Sequence, residues 1–163
     1  MIIIVFGLPG SGKSYFASRL AKLLSASYVN SDQLRKKMLE RRTYEPEEKD
    51  WIYNLMLSMA WEACQSKTNL IIDATFSKQH HRQAFFDRLS PLCAVHFIKI
   101  TAENDVIEKR LSRPRKYSEA DYAVYLKILG EWDTFNSPHL ALQSTDDNID
   151  EMLKKADQYF ESK

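Results

Sequence analysis

Five consecutive apolar residues, Ile2-Ile3-Ile4-Val5-Phe6, open the chain without the polar alternation of a half-exposed strand, so both faces of this strand are expected to be buried. Shorter strand-like runs recur at Ser27-Tyr28-Val29, Leu70-Ile71-Ile72, Val95-His96-Phe97-Ile98-Lys99-Ile100 and Leu140-Ala141-Leu142. Between them the apolar positions take helical spacing, as at positions 16, 17, 20, 23 and 24. This alternation implies an α/β fold, a parallel sheet with helices on both faces. Helix starts are signalled at Asn30 with Gln33, at Pro46 with Glu47 and Glu48, at Thr101 with Glu103, and at Ser118 with Asp121. Two helices, about 31–41 and 46–66, fit between the second and third strands.

Composition adds bounds. With 163 residues, 44% hydrophobic and 28% charged, the chain suits one domain spanning 1–163. Its net charge of +1 lacks the basic balance of a protein that grips long nucleic acid through phosphates, although a local patch is compatible with it. Cys64 and Cys93 lie in apolar surroundings without metal-ligand or redox-motif spacing, so they are expected to be buried free thiols in a reducing, cytoplasmic setting. The N-terminal apolar stretch is too short for a signal peptide and lacks a basic flank; no segment approaches membrane-spanning length.

Directly after the first strand, Gly7-Leu8-Pro9-Gly10-Ser11-Gly12-Lys13-Ser14 holds three of the four glycines, and a helical pattern follows. Strand, glycine-rich turn and helix in this order form a phosphate-binding P-loop, because glycines allow a turn whose N–H groups point inward at phosphates. Gly7, Pro9, Gly10, Ser11, Gly12, Lys13, Ser14 and Tyr15 are the expected nucleotide-binding residues. Lys13 would reach the β- and γ-phosphates of ATP, and the Ser14 hydroxyl would bind Mg²⁺.

Asp73 ends the apolar run Leu70-Ile71-Ile72, the Walker B arrangement, and would reach Mg²⁺ or its waters. Thr75 beside it suits either an acceptor contact or a helix cap. Asp32 and Arg35 are three apart in the first turn of a helix and share a face. Spacing leaves two readings open: a base and a guanidinium serving phosphoryl transfer, or an acidic residue stabilising the helix N-terminus beside a solvated arginine. Arg110, Arg113 and Arg115 with Lys116 end a predicted helix at Pro114, which suits a lid of about 110–118 that neutralises a transferring phosphoryl group. His80-His81 lacks a second ligand pair and is set aside as a metal site.

Taken together, Gly7–Ser14, Ser31-Asp32-x-x-Arg35, Ile71-Ile72-Asp73-Ala74-Thr75 with Arg82, Arg110-x-x-Arg113 and Ser118-Glu119-Ala120-Asp121 resemble the small P-loop kinases of the AAA_33 type. That group includes polynucleotide 5′-hydroxyl kinases and zeta-toxin-like and chloramphenicol-phosphotransferase-like enzymes. The resemblance implies a three-layer P-loop NTPase fold, a five-stranded sheet in the order 2-3-1-4-5, and a helical Arg-bearing lid. It also implies Asp32 as general base, Arg35 as acceptor-side ligand and Arg110 or Arg113 at the phosphates. Two departures stand out: Phe76 where the family often has Asn, and Pro114 within the lid.

The expected activity is transfer of the γ-phosphoryl group of ATP to a hydroxyl, on either a small molecule or a nucleic-acid 5′ end. A nucleotide-dependent switch that engages a protein partner is the alternative.

Overall fold

The structure, a computed structural model, describes residues 1–113 and 119–162. The chain runs β1 (Ile2–Phe6), α1 (Lys13–Leu23), β2 (Ser27–Asn30), α2 (Ser31–Met38), α3 (Pro46–Gln65), β3 (Leu70–Ala74), α4 (Gln79–Leu89), β4 (Val95–Thr101), α5 (Asn104–Leu111), α6 (Tyr122–Gly130), β5 (Leu140–Gln143) and α7 (Ile149–Glu161). The five strands form one sheet in the expected order β2-β3-β1-β4-β5, and every pairing is parallel.

Why β1 is apolar at every position is now visible. Ile2, Ile4 and Phe6 face a core shared with α3 and α4, whereas Ile3 and Val5 face one shared with α1 and α7. A strand alternates its side chains between two faces, so a central strand between helical layers needs both sets apolar. Burying each large aliphatic side chain contributes about 1.5–3 kcal/mol. Parallel register also aligns the strand ends: Asn30 lies opposite Asp73, and Asp73 opposite Val5. In an open parallel sheet these carboxyl ends line the ligand crevice.

Two helix starts move from where the signals put them. Thr101 is the last residue of β4, and α5 begins at Asn104 behind Glu103. The β-branched threonine extends the strand, and the cap falls later. Asp121 itself caps α6, accepting from Val124 N at 2.9 Å; Ser118 lies outside the described residues, as do Pro114, Arg115 and Lys116.

The cysteines require a correction. Cys64, near the end of α3, and Cys93, just before β4, are joined in a disulfide with their Cα atoms 5.7 Å apart. Their separation of 29 residues hides this contact, because it arises only when α3 folds back beside the start of β4.

Phe76 has a left-handed backbone, φ 49°, and is fully buried. Asn tolerates this conformation far better than a bulky residue does. Here the turn is held from outside: the Tyr53 phenol oxygen accepts from Phe76 N at 3.0 Å, and Arg82 donates to Phe76 O at 2.5 Å. Arg82 is also wholly buried and donates to the carbonyls of Asp133 and Thr134 at 2.7 and 3.1 Å. It therefore clips the segment before β5 to the turn after β3.

Candidate active site

A cleft of about 610 Å³ opens over the carboxyl ends of the strands, and Lys13, Ser14, Asp32, Arg110 and Arg113 line it. Gly10, Gly12 and Tyr15 line it too. Pro9 and Ser11 are buried, and Gly7 sits at the end of β1. A Cβ on Gly7 would collide with the Ile100 carbonyl oxygen, so glycine is needed there by close approach as well as by its φ of 155°. Gly12, φ 90°, is the residue from which α1 starts, which directs the first N–H groups of that helix toward the cleft.

Beneath Ser14 the strand ends build a polar hub. Asp73 is completely buried, and its Oδ2 accepts from Tyr28 OH at 2.7 Å and Asn30 Nδ2 at 2.6 Å. Burial first, then the charge and hydrogen bond of Asp73, push the Tyr28 phenol far above its ordinary pKa, so it stays a donor. The other oxygen, Asp73 Oδ1, is buried and has no hydrogen-bond partner among the described residues. An orphaned carboxylate oxygen on the residue that Asn30 links to the Ser14 hydroxyl fits a hard divalent cation or a water bound to one, the chemistry of Mg²⁺. Ser11 Oγ in the P-loop is likewise buried, with no hydrogen-bond partner among the described residues.

Asn30 was visible in the sequence only as a cap, and it is one: its Oδ1 accepts from Gln33 N at 2.9 Å. Its Nδ2 also lies 3.4 Å from Ser14 Oγ, so one side chain joins α2, Asp73 and the P-loop. The sequence marks neither Asn30 nor Tyr28 as a site residue, although both belong to β2, whose carboxyl end is Asn30.

Asp32 lines the cleft from the first turn of α2. Arg35 does not line it: the arginine is 4% exposed, 2.9 Å from Asp32 Oδ1 through Nη1 and 2.7 Å from Glu48 Oε1 through Nε. The sequence marks Glu48 only as part of a helix start, not as a residue of the site. On the far side Arg110 is held by four acceptors: Ser144 Oγ at 2.8 Å, Thr145 O at 2.7 Å, Gly10 O at 3.3 Å and Asp146 Oδ1 at 3.4 Å. Ser144 in turn donates to Ser11 O at 2.6 Å. The P-loop and the turn after β5 are thus tied through one guanidinium and one hydroxyl. Arg113 is exposed at the rim.

Outside the cleft, α3 brings Asp50 to the His80-His81 pair, with His81 Nε2 at 2.7 Å from Asp50 Oδ1. No helix among the described residues is long and apolar enough to cross a membrane.

Comparison with known proteins agrees with this architecture. The chain superimposes on a sugar kinase from Janibacter sp. HTCC2649 with a TM-score of 0.76 at 15% identity, covering 98% of this chain and 94% of that one. The APS kinase CysC of Mycobacterium tuberculosis, in complex with AMPPNP and APS, gives 0.75 at 18% identity over 98% and 96% of the two chains. Kti12 of Chaetomium thermophilum, in complex with ADP-AlF3, gives 0.69 at 17% identity over 97% and 98%. No curated protein matches the sequence significantly. These likenesses establish a P-loop kinase type of fold. Residues 2–131 match the model of AAA_33, an AAA domain, and with its P-loop, strand order and buried Asp73 in place the chain belongs to that family.

Proposed function

We propose that this chain is an ATP-dependent kinase that transfers the γ-phosphoryl group to a hydroxyl acceptor. The observation that carries the reading is the shared cleft: a P-loop lysine and serine, a carboxylate at the start of α2 and two arginines open onto one cavity. Its volume of about 610 Å³ is in the range of small-ligand sites. The bound nucleotide supplies the phosphoryl group, and Mg²⁺ supplies positive charge at its oxygens.

The chain's own residues do the rest. Backbone N–H groups of the P-loop and Lys13 hold the phosphates, and Ser14 and Asp73 hold the metal or its waters. Asp32 accepts the acceptor's proton as the new oxygen–phosphorus bond forms and the bond to the ADP oxygen breaks. Arg113 at the rim, with Arg110 at the P-loop, offsets charge on the transferring group. Because the chemistry needs no covalent enzyme group, catalysis rests on positioning and electrostatics.

The acceptor is a hydroxyl-bearing small molecule or a nucleic-acid 5′ end, and ATP makes the cytoplasm the natural setting. The test is transfer of label from γ-labelled ATP·Mg²⁺ to a 5′-hydroxyl oligonucleotide, beside a pooled metabolite extract and an Asp32→Asn control. Label on either acceptor that disappears in the control supports the kinase. Nucleotide binding with no transfer to either turns the reading to a nucleotide-dependent switch.

A further inference from the structure

Arg35 carries a charge in a place where charge is costly, so what surrounds it must explain it. Its side chain is 5% exposed, that of Glu48 is 10% exposed, and Arg35 Nε lies 2.7 Å from Glu48 Oε1. The contact is an ion pair without hydrogen-bond geometry, and neither of these two buried atoms has a hydrogen-bond partner among the described residues. The same guanidinium donates through Nη1 to Asp32 Oδ1 at 2.9 Å. Glu48, Arg35 and Asp32 therefore form a buried-to-surface relay from α3, through α2, to the cleft.

The other carboxylate oxygen of Glu48 is occupied differently. Oε2 accepts from Thr43 N at 2.6 Å, Thr43 Oγ1 at 2.9 Å and Tyr44 N at 3.3 Å. Tyr44 has a left-handed backbone, φ 59°, which is strained for a bulky residue and persists only when its surroundings impose it. The donors from Thr43 and Tyr44 bound to Glu48 hold it at the backbone, and the Tyr44 hydroxyl donates to Glu119 Oε2 at 3.0 Å at the other end of the side chain. Held in this way, the Tyr44 ring lies over Arg35, the guanidinium carbon 4.9 Å from the ring centroid.

Resting on the reading of Asp32 as the base, we infer that Glu48 is a positioning residue for phosphoryl transfer. One of its oxygens anchors Arg35 so that the guanidinium stays on Asp32, and the other fastens the Thr43–Tyr44 turn that closes over the pair. Glu48 is not among the residues that line the cleft, and it acts through Arg35. A catalytic carboxylate has to be held within a fraction of an ångström, and loss of such a support typically slows the reaction about 10- to 100-fold while leaving remote binding intact.

The test uses the full chain with Glu48→Gln, which keeps an acceptor for the Thr43 and Tyr44 donors while removing the charge. The first readout needs no acceptor: the Nε–Hε resonance of Arg35 in ¹⁵N NMR, assigned by its loss in Arg35→Lys. It should be resolved and slow to exchange in the unmodified protein and broaden or move in Glu48→Gln; an unchanged resonance overturns the inference. The second is labelled phosphoryl transfer to the 5′-hydroxyl oligonucleotide or metabolite extract. Expected is a kcat lowered about 10- to 100-fold with the KM for ATP unchanged. Equal kcat, or kcat and KM changed together alongside a lost fold by circular dichroism, overturns it. Should the unmodified protein transfer to neither acceptor, the kinase reading fails by itself, and the arginine resonance still decides whether Glu48 holds Arg35.

Discussion

Asn30 Nδ2 stands 2.6 Å from Asp73 Oδ2, a hydrogen bond between two residues that parallel register places side by side at the ends of β2 and β3. It leaves Asp73 with one oxygen fully engaged and the other unpartnered. Asn30→Ala removes this bond and the α2 cap together. Loss of a cap costs about 1 kcal/mol and loss of a hydrogen bond to a charged group about 1.5–3 kcal/mol, so urea unfolding should show about 2.5–4 kcal/mol of destabilisation. A change below about 0.5 kcal/mol would mean that Tyr28 alone satisfies Asp73.

Asp73→Asn leaves the hub's hydrogen bonds largely replaceable but removes the charge beside Ser14. The expected outcome is loss of the Mg²⁺-dependent part of ATP affinity, read by titrating a fluorescent ATP analogue with and without Mg²⁺. Equal Mg²⁺ dependence in both proteins would exclude Asp73 from the metal site.

Asp32 and Lys13 line the same cleft and should separate chemistry from binding. Asp32→Asn is expected to lower labelled transfer by about 100-fold or more, the usual worth of a general base, with ATP affinity within about twofold. Lys13→Ala should weaken both. If Asp32→Asn loses nucleotide binding as well, the carboxylate is structural.

Tyr53→Phe removes the acceptor for the buried Phe76 N–H. An unsatisfied buried donor costs about 1–3 kcal/mol, which a denaturant titration resolves. The turn after β3 would lose the support that holds Phe76 in its left-handed conformation, so transfer activity should fall with stability.

The protonation of His81 ties stability to pH. Burial, the largest cause, holds its pKa below the ordinary value; the charges of His80 and Lys49 act the same way, and the Asp50 hydrogen bond and charge oppose them. In the window between the depressed folded value and about 6.5, the unfolded chain binds the proton more readily. This contribution is therefore present above about pH 6.5 and is lost as pH falls through that window. Urea midpoints at pH 7.5 and 5.5 should differ more for the unmodified protein than for His81→Gln; equal differences would mean that the Asp50 interaction cancels the burial.

What was legible in the sequence was what local pattern and local chemistry determine. The all-apolar Ile2–Phe6 run reads as a strand buried on both faces, the Gly7–Ser14 stretch carries its conformation in its glycines, and Asp73 closes the apolar run of its own strand. Asn30 as the cap of α2 is likewise a matter of three residues.

Tertiary structure decided what depends on residues distant in the chain. Arg35 read as a solvated or acceptor-facing cation because nothing near it announces Glu48, which arrives on the next helix. Arg82 enters the sequence pattern only alongside Ile71-Ile72-Asp73-Ala74-Thr75, and only folding buries it among the carbonyls of 133 and 134. Cys64 and Cys93 meet because α3 returns beside β4. In each case a charged or reactive group is neutralised by a partner whose position is set by packing and strand register, and hydrophobic periodicity specifies which faces are buried without specifying which side chains then meet.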